Sequence, residues 1–81
     1  MVQVLYFAAL RELVGLSEER LEVPENVRTV QEFVQHLQQV RPVLAGKMAS
    51  VRVALDETFA TDSDLLNGAQ TVALIPPVAG G

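Results

Sequence analysis

Only one segment of this chain has the pattern of a long amphipathic helix, so any fold must use it as the main helical layer. Thr29 and Glu32 stand three residues apart, which is the spacing of a capping box at a helix start. Apolar residues then recur at helical spacing until Pro42 ends the run. They are Val30, Phe33, Val34, Leu37 and Val40. The pattern predicts a helix that packs this stripe against a core.

Five shorter segments have strand character, because they are rich in β-branched residues or alternate polar with apolar side chains. They are residues 2–7, 19–23, 51–55, 58–60 and 71–75. Gln3 marks the wetter side of the first segment. Its Val2, Val4 and Tyr6 are therefore predicted to point inward.

Turn signals separate these segments. Gly15 lies where a left-handed C-cap would close a minor helix over residues 8–14. Asp56-Glu57 and Asn67-Gly68 are typical of tight turns. One long helix with about five strands indicates an α+β domain. The most economical assembly is the β-grasp, a mixed sheet with its first and last strands adjacent at the centre. We predict this domain over residues 1–75, followed by a flexible C-terminal tail over residues 76–81.

Composition excludes several classes of site and partner. The 81-residue chain has no cysteine, which excludes disulfides, thiolate metal sites and cysteine nucleophiles. Its net charge of -4 disfavours nucleic acid as a partner, because phosphates would repel it. No apolar run approaches the ~20 residues of a membrane span, and a secreted domain this small would usually carry disulfides. We therefore expect a cytoplasmic protein with neither nucleic acid nor membrane as a partner.

The side chains offer little chemistry of their own. The only histidine, His36, lies on the polar side of the main helix and is predicted to be a solvated surface residue. Four carboxylates near two turns have the ordinary role of turn residues, and no glycine-rich phosphate-binding loop is present. These carboxylates are Asp56, Glu57, Asp62 and Asp64. We expect no metal site, no cofactor bound by the chain alone and no catalysis by the chain alone.

The C-terminal tail stands out chemically. Its sequence is Pro76-Pro77-Val78-Ala79-Gly80-Gly81, in which two prolines stiffen the exit from the last strand and the side chains then shrink to none. Six extended residues span about 20 Å, and glycine has no Cβ to obstruct a narrow channel. Two terminal glycines arise by chance in only about 0.5% of chains, which favours a functional tail over a frayed terminus.

A carboxylate at Gly81 becomes an acyl donor once a partner enzyme converts it to an acyl-adenylate with ATP. An amine would then give an amide, as in a protein modifier. A persulfide would give, after reduction, a thiocarboxylate that can deliver sulfur. The lack of cysteine fits the second route, since no internal thiol can intercept the activated carbonyl.

The chain resembles a known family. The tail, together with Val4-Leu5-Tyr6-Phe7-Ala8 and Leu10-Arg11-Glu12-Leu13-Val14-Gly15, is similar to the molybdopterin synthase small subunits, which are ubiquitin-like sulfur carriers. The similarity spans the whole chain, and Tyr6 stands where phenylalanine is common. The resemblance implies a ubiquitin-like β-grasp fold, and an adenylating and sulfurating enzyme that acts on Gly81 with ATP. It implies a heterotetramer of two small and two large subunits, in which Gly80 and the rest of the tail enter the large subunit. There the thiocarboxylate sulfur would build the dithiolene of molybdopterin.

The sheet face away from the main helix is predicted to be the docking surface. Residues expected on or beside it are Leu5, Phe7, Arg52, Ala54, Phe59, Ala73 and Ile75. Contiguous apolar patches usually mark partner interfaces, so we expect Phe7, Phe59 and Ile75 to contact the large subunit. Three other interpretations remain open: a sulfur carrier for thiazole synthesis, a ubiquitin-like protein modifier, and an interaction domain with an inert tail.

Overall fold

The computed structural model describes residues 1–77; residues Val78, Ala79, Gly80 and Gly81 lie outside the described part. Five strands and two α-helices follow one another along residues 1–77. They are β1 (Val2–Tyr6), α1 (Ala9–Val14), β2 (Glu18–Leu21), α2 (Val30–Val40), β3 (Arg52–Leu55), β4 (Thr58–Ala60) and β5 (Thr71–Ile75), with a 3-10 turn at Pro42–Leu44 between α2 and β3. No helix in this part of the chain is long and apolar enough to cross a membrane.

The strands form one mixed sheet in the order β2-β1-β5-β3-β4. β1 and β5 lie side by side at its centre and run parallel, while the other three pairings are antiparallel. Tyr6 pairs with Leu74, and Ile75 pairs with Arg52. The ends of β1 and β5 and the start of β3 therefore lie along one edge of the sheet, here called the tail-exit edge. This arrangement is the predicted β-grasp.

The core lies between α2 and one face of the sheet. Val30, Phe33 and Leu37 of α2 are buried, as are the inward residues of β1 and β5. These strand residues are Val2, Val4, Tyr6, Val72 and Leu74. Thr29 caps α2 through the predicted capping box: its Oγ1 accepts the Glu32 N–H at 3.1 Å, and the Glu32 carboxylate accepts the Thr29 N–H at 3.0 Å.

The prediction that Val40 faces the core is wrong. Val40 is the last residue of α2 and is 40% exposed. The chain then turns into Pro42–Leu44, and Leu44 is fully buried in the core cluster. The apolar stripe of α2 therefore extends one residue beyond the part of the helix that packs on the core. Leu44 fills the adjacent part of the core in place of Val40.

The predicted tight turns are present. Asp56 and Glu57, with φ of 46° and 72°, connect β3 to β4 in the left-handed region that such a turn requires. Gly15 closes α1 at φ 82°, as expected of a left-handed C-cap. The backbone is strained at Ala8, whose φ of 52° and ψ of -128° define a conformation that non-glycine residues rarely adopt.

Candidate docking face and tail exit

The tail leaves the sheet at the tail-exit edge. Pro76 and Pro77 follow Ile75 directly, and exposure increases from the partly buried Pro76 to the exposed Pro77. Proline has no N–H with which to continue the hydrogen-bond ladder, so the strand ends here. The tail residues predicted to enter a partner, Val78, Ala79 and Gly80, lie outside the described residues, as does Gly81.

The strand register brings the predicted docking residues together on the face away from α2. One row of directly paired residues crosses all five strands: Glu18, Leu5, Ala73, Ala54 and Phe59. The next row toward the tail-exit edge contains the pair Ile75 and Arg52. Phe7 lies one residue beyond the Tyr6–Leu74 pair, at the same edge. We call this set of residues, without Glu18, the docking face.

Two aromatic side chains of the docking face are open to solvent. Phe59 is 54% exposed and Phe7 is 45% exposed. Ala54, which pairs with Phe59 in the neighbouring strand β3, is only 6% exposed. The strained turn at Ala8 reverses the chain immediately after Phe7, because the Leu10 N–H returns to the Phe7 carbonyl at 3.1 Å. Large apolar side chains grouped on one face of a small domain are typical of a partner interface.

An arginine covers part of this face, and the sequence pattern did not reveal its role. The hairpin between β3 and β4 places Ala54 opposite Phe59, so Arg52 lies diagonally across from the same ring. Its guanidinium carbon is 4.0 Å from the centroid of the Phe59 ring. This is a cation–π contact, since it is well within the ~6 Å limit of such pairs.

Below the tail-exit edge, on the core side of the sheet, a polar network joins three elements. The Tyr6 hydroxyl donates to Glu19 Oε2 at 2.6 Å, and Arg41 Nε donates to the same oxygen at 2.9 Å. The second Arg41 nitrogen donates to Glu19 Oε1, so the ion pair is bidentate. β1, β2 and the end of α2 are thereby connected through one carboxylate.

This network shifts the pKa values of Glu19 and Tyr6. Hydrogen bonds from Arg41 hold the pKa of Glu19 below its ordinary value, despite partial burial that acts in the opposite direction. Burial raises the pKa of Tyr6 above its usual range, and the hydrogen bond to Glu19 adds to the effect. Tyr6 therefore stays protonated, and Glu19 stays ionised, throughout the neutral range.

This network predicts a measurable acid sensitivity. Because the pKa of Glu19 is lower in the folded than in the unfolded state, its stabilisation is complete above the unfolded value of ~4.3 and is lost as the pH falls through the folded value. We expect the thermal midpoint of the wild type to fall more steeply below about pH 5 than that of Glu19→Gln. Glu32 and Asp56 also have lowered pKa values, but both residues are present in the wild type and in Glu19→Gln, so they do not contribute to the difference between the two slopes. Equal slopes in thermal denaturation of the two proteins would contradict this role of Glu19.

Two of the four carboxylates near the turns, Asp56 and Asp64, accept hydrogen bonds from backbone N–H groups. Asp56 Oδ1 accepts the N–H groups of Thr71 and Gln70 at 2.9 and 3.0 Å, which lowers its pKa. Asp64 accepts the Thr61 N–H at 2.7 Å. Within residues 1–77, no group of three histidine, aspartate or glutamate side chains is placed to hold a metal ion.

The chain matches one family model and several curated proteins over nearly its whole length. The model of the ThiS family matches residues 4–81. The chain is 40% identical over 81 residues to the molybdopterin synthase sulfur carrier subunit of Mycobacterium tuberculosis, covering 99% of this chain and 96% of that protein. It is 36% identical over 83 residues to the protein of the same name from Escherichia coli, covering 100% of each. The resemblance noted from the tail and first strand is confirmed.

Solved structures share the fold. SAMP1 from Haloferax volcanii superposes with a TM-score of 0.83 at 24% identity, covering 99% of this chain and 98% of that one. One subunit in the complex of subunits 1 and 2 of molybdopterin-converting factor from Helicobacter pylori has a TM-score of 0.65 at 18% identity, covering 99% and 97%. The ubiquitin-like β-grasp prediction is confirmed.

Proposed function

Because this chain belongs to the ThiS family, we propose that it is the sulfur carrier of molybdenum cofactor biosynthesis. The observation that supports this most directly is the match to two molybdopterin synthase sulfur carrier subunits over 96–100% of their length. The family match also extends to Gly81. In this proposal Gly81 carries the sulfur, and the folded domain holds and presents the tail.

The proposed cycle begins with activation by a separate enzyme. The Gly81 carboxylate attacks the α-phosphate of ATP and pyrophosphate leaves, giving an acyl-adenylate. A persulfide on a donor protein then attacks the acyl carbon and expels AMP. A thiol of the donor reduces the resulting acyl disulfide, which frees the thiocarboxylate and leaves a disulfide on the donor. The domain supplies no side chain to these steps, and ATP is bound by the adenylating partner.

The second stage takes place on the synthase large subunit. The docking face packs against that subunit and the tail, from Pro76 through Gly80, places Gly81 in its active site. The structure supports this stage because Ile75, Phe7 and Arg52 lie beside the point where the tail leaves the sheet. The thiocarboxylate sulfur then becomes part of the dithiolene of molybdopterin. We infer an assembly of two small and two large subunits, acting in the cytoplasm.

Deletion of the gene distinguishes this function from its nearest alternative. We expect loss of molybdoenzyme activity, such as nitrate reduction, without a requirement for thiamine, and restoration of activity by the wild-type gene. A thiamine requirement with normal molybdoenzymes would assign the chain to thiazole synthesis instead. Normal growth in both assays, with the chain found attached to lysines of other proteins, would make it a modifier.

A further inference from the structure

We propose that Arg52 binds a carboxylate of the synthase large subunit and so sets the orientation in which the two proteins dock. The inference rests on the proposed function and adds a charge requirement to an otherwise apolar docking face. Arg52 pairs with Ile75, the last strand residue before the tail, so an ion pair here would act immediately beside the tail.

The first supporting observation is that Arg52 is held in place before any partner arrives. Its guanidinium carbon lies over the Phe59 ring, 4.0 Å from the ring centroid. This contact restricts a side chain that would otherwise lose considerable freedom on binding, and such pre-organisation favours affinity. Phe59 remains 54% exposed beside it, so a partner would meet the ring and the cation together.

The second observation is that Arg52 has no charge partner among residues 1–77. The ion pair within this part of the chain is Arg41 with Glu19, on the other side of the sheet. No side-chain hydrogen bond from Arg52 to a described residue accompanies the stacking contact. Its nitrogen donors are therefore available to a partner.

A partner that buries the docking face must provide a hydrogen-bond acceptor for Arg52. The contact with Phe59 leaves the guanidinium N–H groups solvated by water, so a partner that covers Arg52 without offering an acceptor would impose a desolvation cost. A partner that packs on Phe59, Ala54 and Ile75 must cover Arg52 as well, since Arg52 lies between these residues. The guanidinium fork matches a carboxylate in bidentate geometry. An aspartate or glutamate at the mouth of the channel that receives the tail fits this requirement.

The test compares three variants in calorimetric titration against the large subunit. Arg52→Met retains an unbranched apolar stem over Phe59 but removes the charge, and Arg52→Lys retains the charge without the fork. Arg20→Met is the matched control: Arg20 pairs with Gln3 on the same sheet face, three strands away, at a distance of about 14 Å across the sheet. Thermal denaturation of each variant verifies that it is folded.

We expect Arg52→Met to weaken binding at least tenfold, as expected when one member of a buried charge pair is removed. Arg52→Lys should fall between Arg52→Met and the wild type, and Arg20→Met should match the wild type. If the wild type binds but Arg52→Met remains within about threefold of its affinity, the carboxylate proposal is wrong and the proposed function stands. If the wild type does not bind the large subunit, the proposed function itself fails, and this inference with it.

Discussion

Removal of Gly81 is expected to abolish sulfur transfer without changing the stability of the domain. The buried core extends from Val2 to Leu74, so the free energy of unfolding of residues 1–80 should equal that of the full chain. The new terminal carboxylate on Gly80 would fall about 3.5 Å short of its position in either partner. A displacement of about 1 Å can already reduce a rate ~10²-fold, so a loss of at least that size is expected.

Intact-mass spectrometry measures this effect at its first step. The full chain, incubated with the adenylating enzyme, ATP and a persulfide donor, should exchange one carboxyl oxygen for sulfur. The shortened chain should not. Gly81→Ala is the matched variant, because it keeps the length and the carboxylate but adds a Cβ where we expect a narrow channel. An unchanged mass of the full chain, with an enzyme known to be active on another carrier, would refute the sulfur-carrier function.

Phe59→Glu is expected to weaken the complex with the large subunit by thirtyfold or more. Truncation of an apolar anchor in an interface often costs ~2 kcal/mol, and a carboxylate buried there without a partner adds a desolvation cost. At ~1.4 kcal/mol per factor of ten, these costs correspond to at least that loss. The fold should be retained, because Phe59 is 54% exposed and lies on the face away from Phe33 and Leu37.

The matched control introduces the same charge elsewhere. Val43 is 45% exposed and belongs to the 3-10 turn whose Leu44 is packed in the core, on the helix side of the sheet. Val43→Glu should bind the large subunit with wild-type affinity in calorimetric titration. If Phe59→Glu stays within about threefold of wild type, less than ~0.7 kcal/mol, the docking face lies elsewhere. Unfolding of Phe59→Glu would mean that Phe59 contributes to the core.

Much of the fold could be predicted from local pattern. The capping box at Thr29 and Glu32, the turns at Asp56-Glu57 and Asn67-Gly68, and the inward side of β1 are all present as expected. Each depends on residues a few positions apart, whose geometry is restricted by the backbone alone. The role proposed for the Gly-Gly ending also comes from local sequence, because it depends on the chemistry of a terminal carboxylate and not on tertiary contacts.

Contacts between distant parts of the chain could not be predicted in this way. Glu19 and Arg41 are 22 positions apart and meet because β2 and the end of α2 converge below the tail-exit edge. Arg52 reaches Phe59 only through the register of the β3–β4 hairpin. Val40 has the spacing of a core residue, but it is the last residue of α2, and Leu44 of the following turn is buried in the core instead. Periodicity determines which side of an element is apolar, whereas the extent of each layer and the register between strands decide what that side contacts.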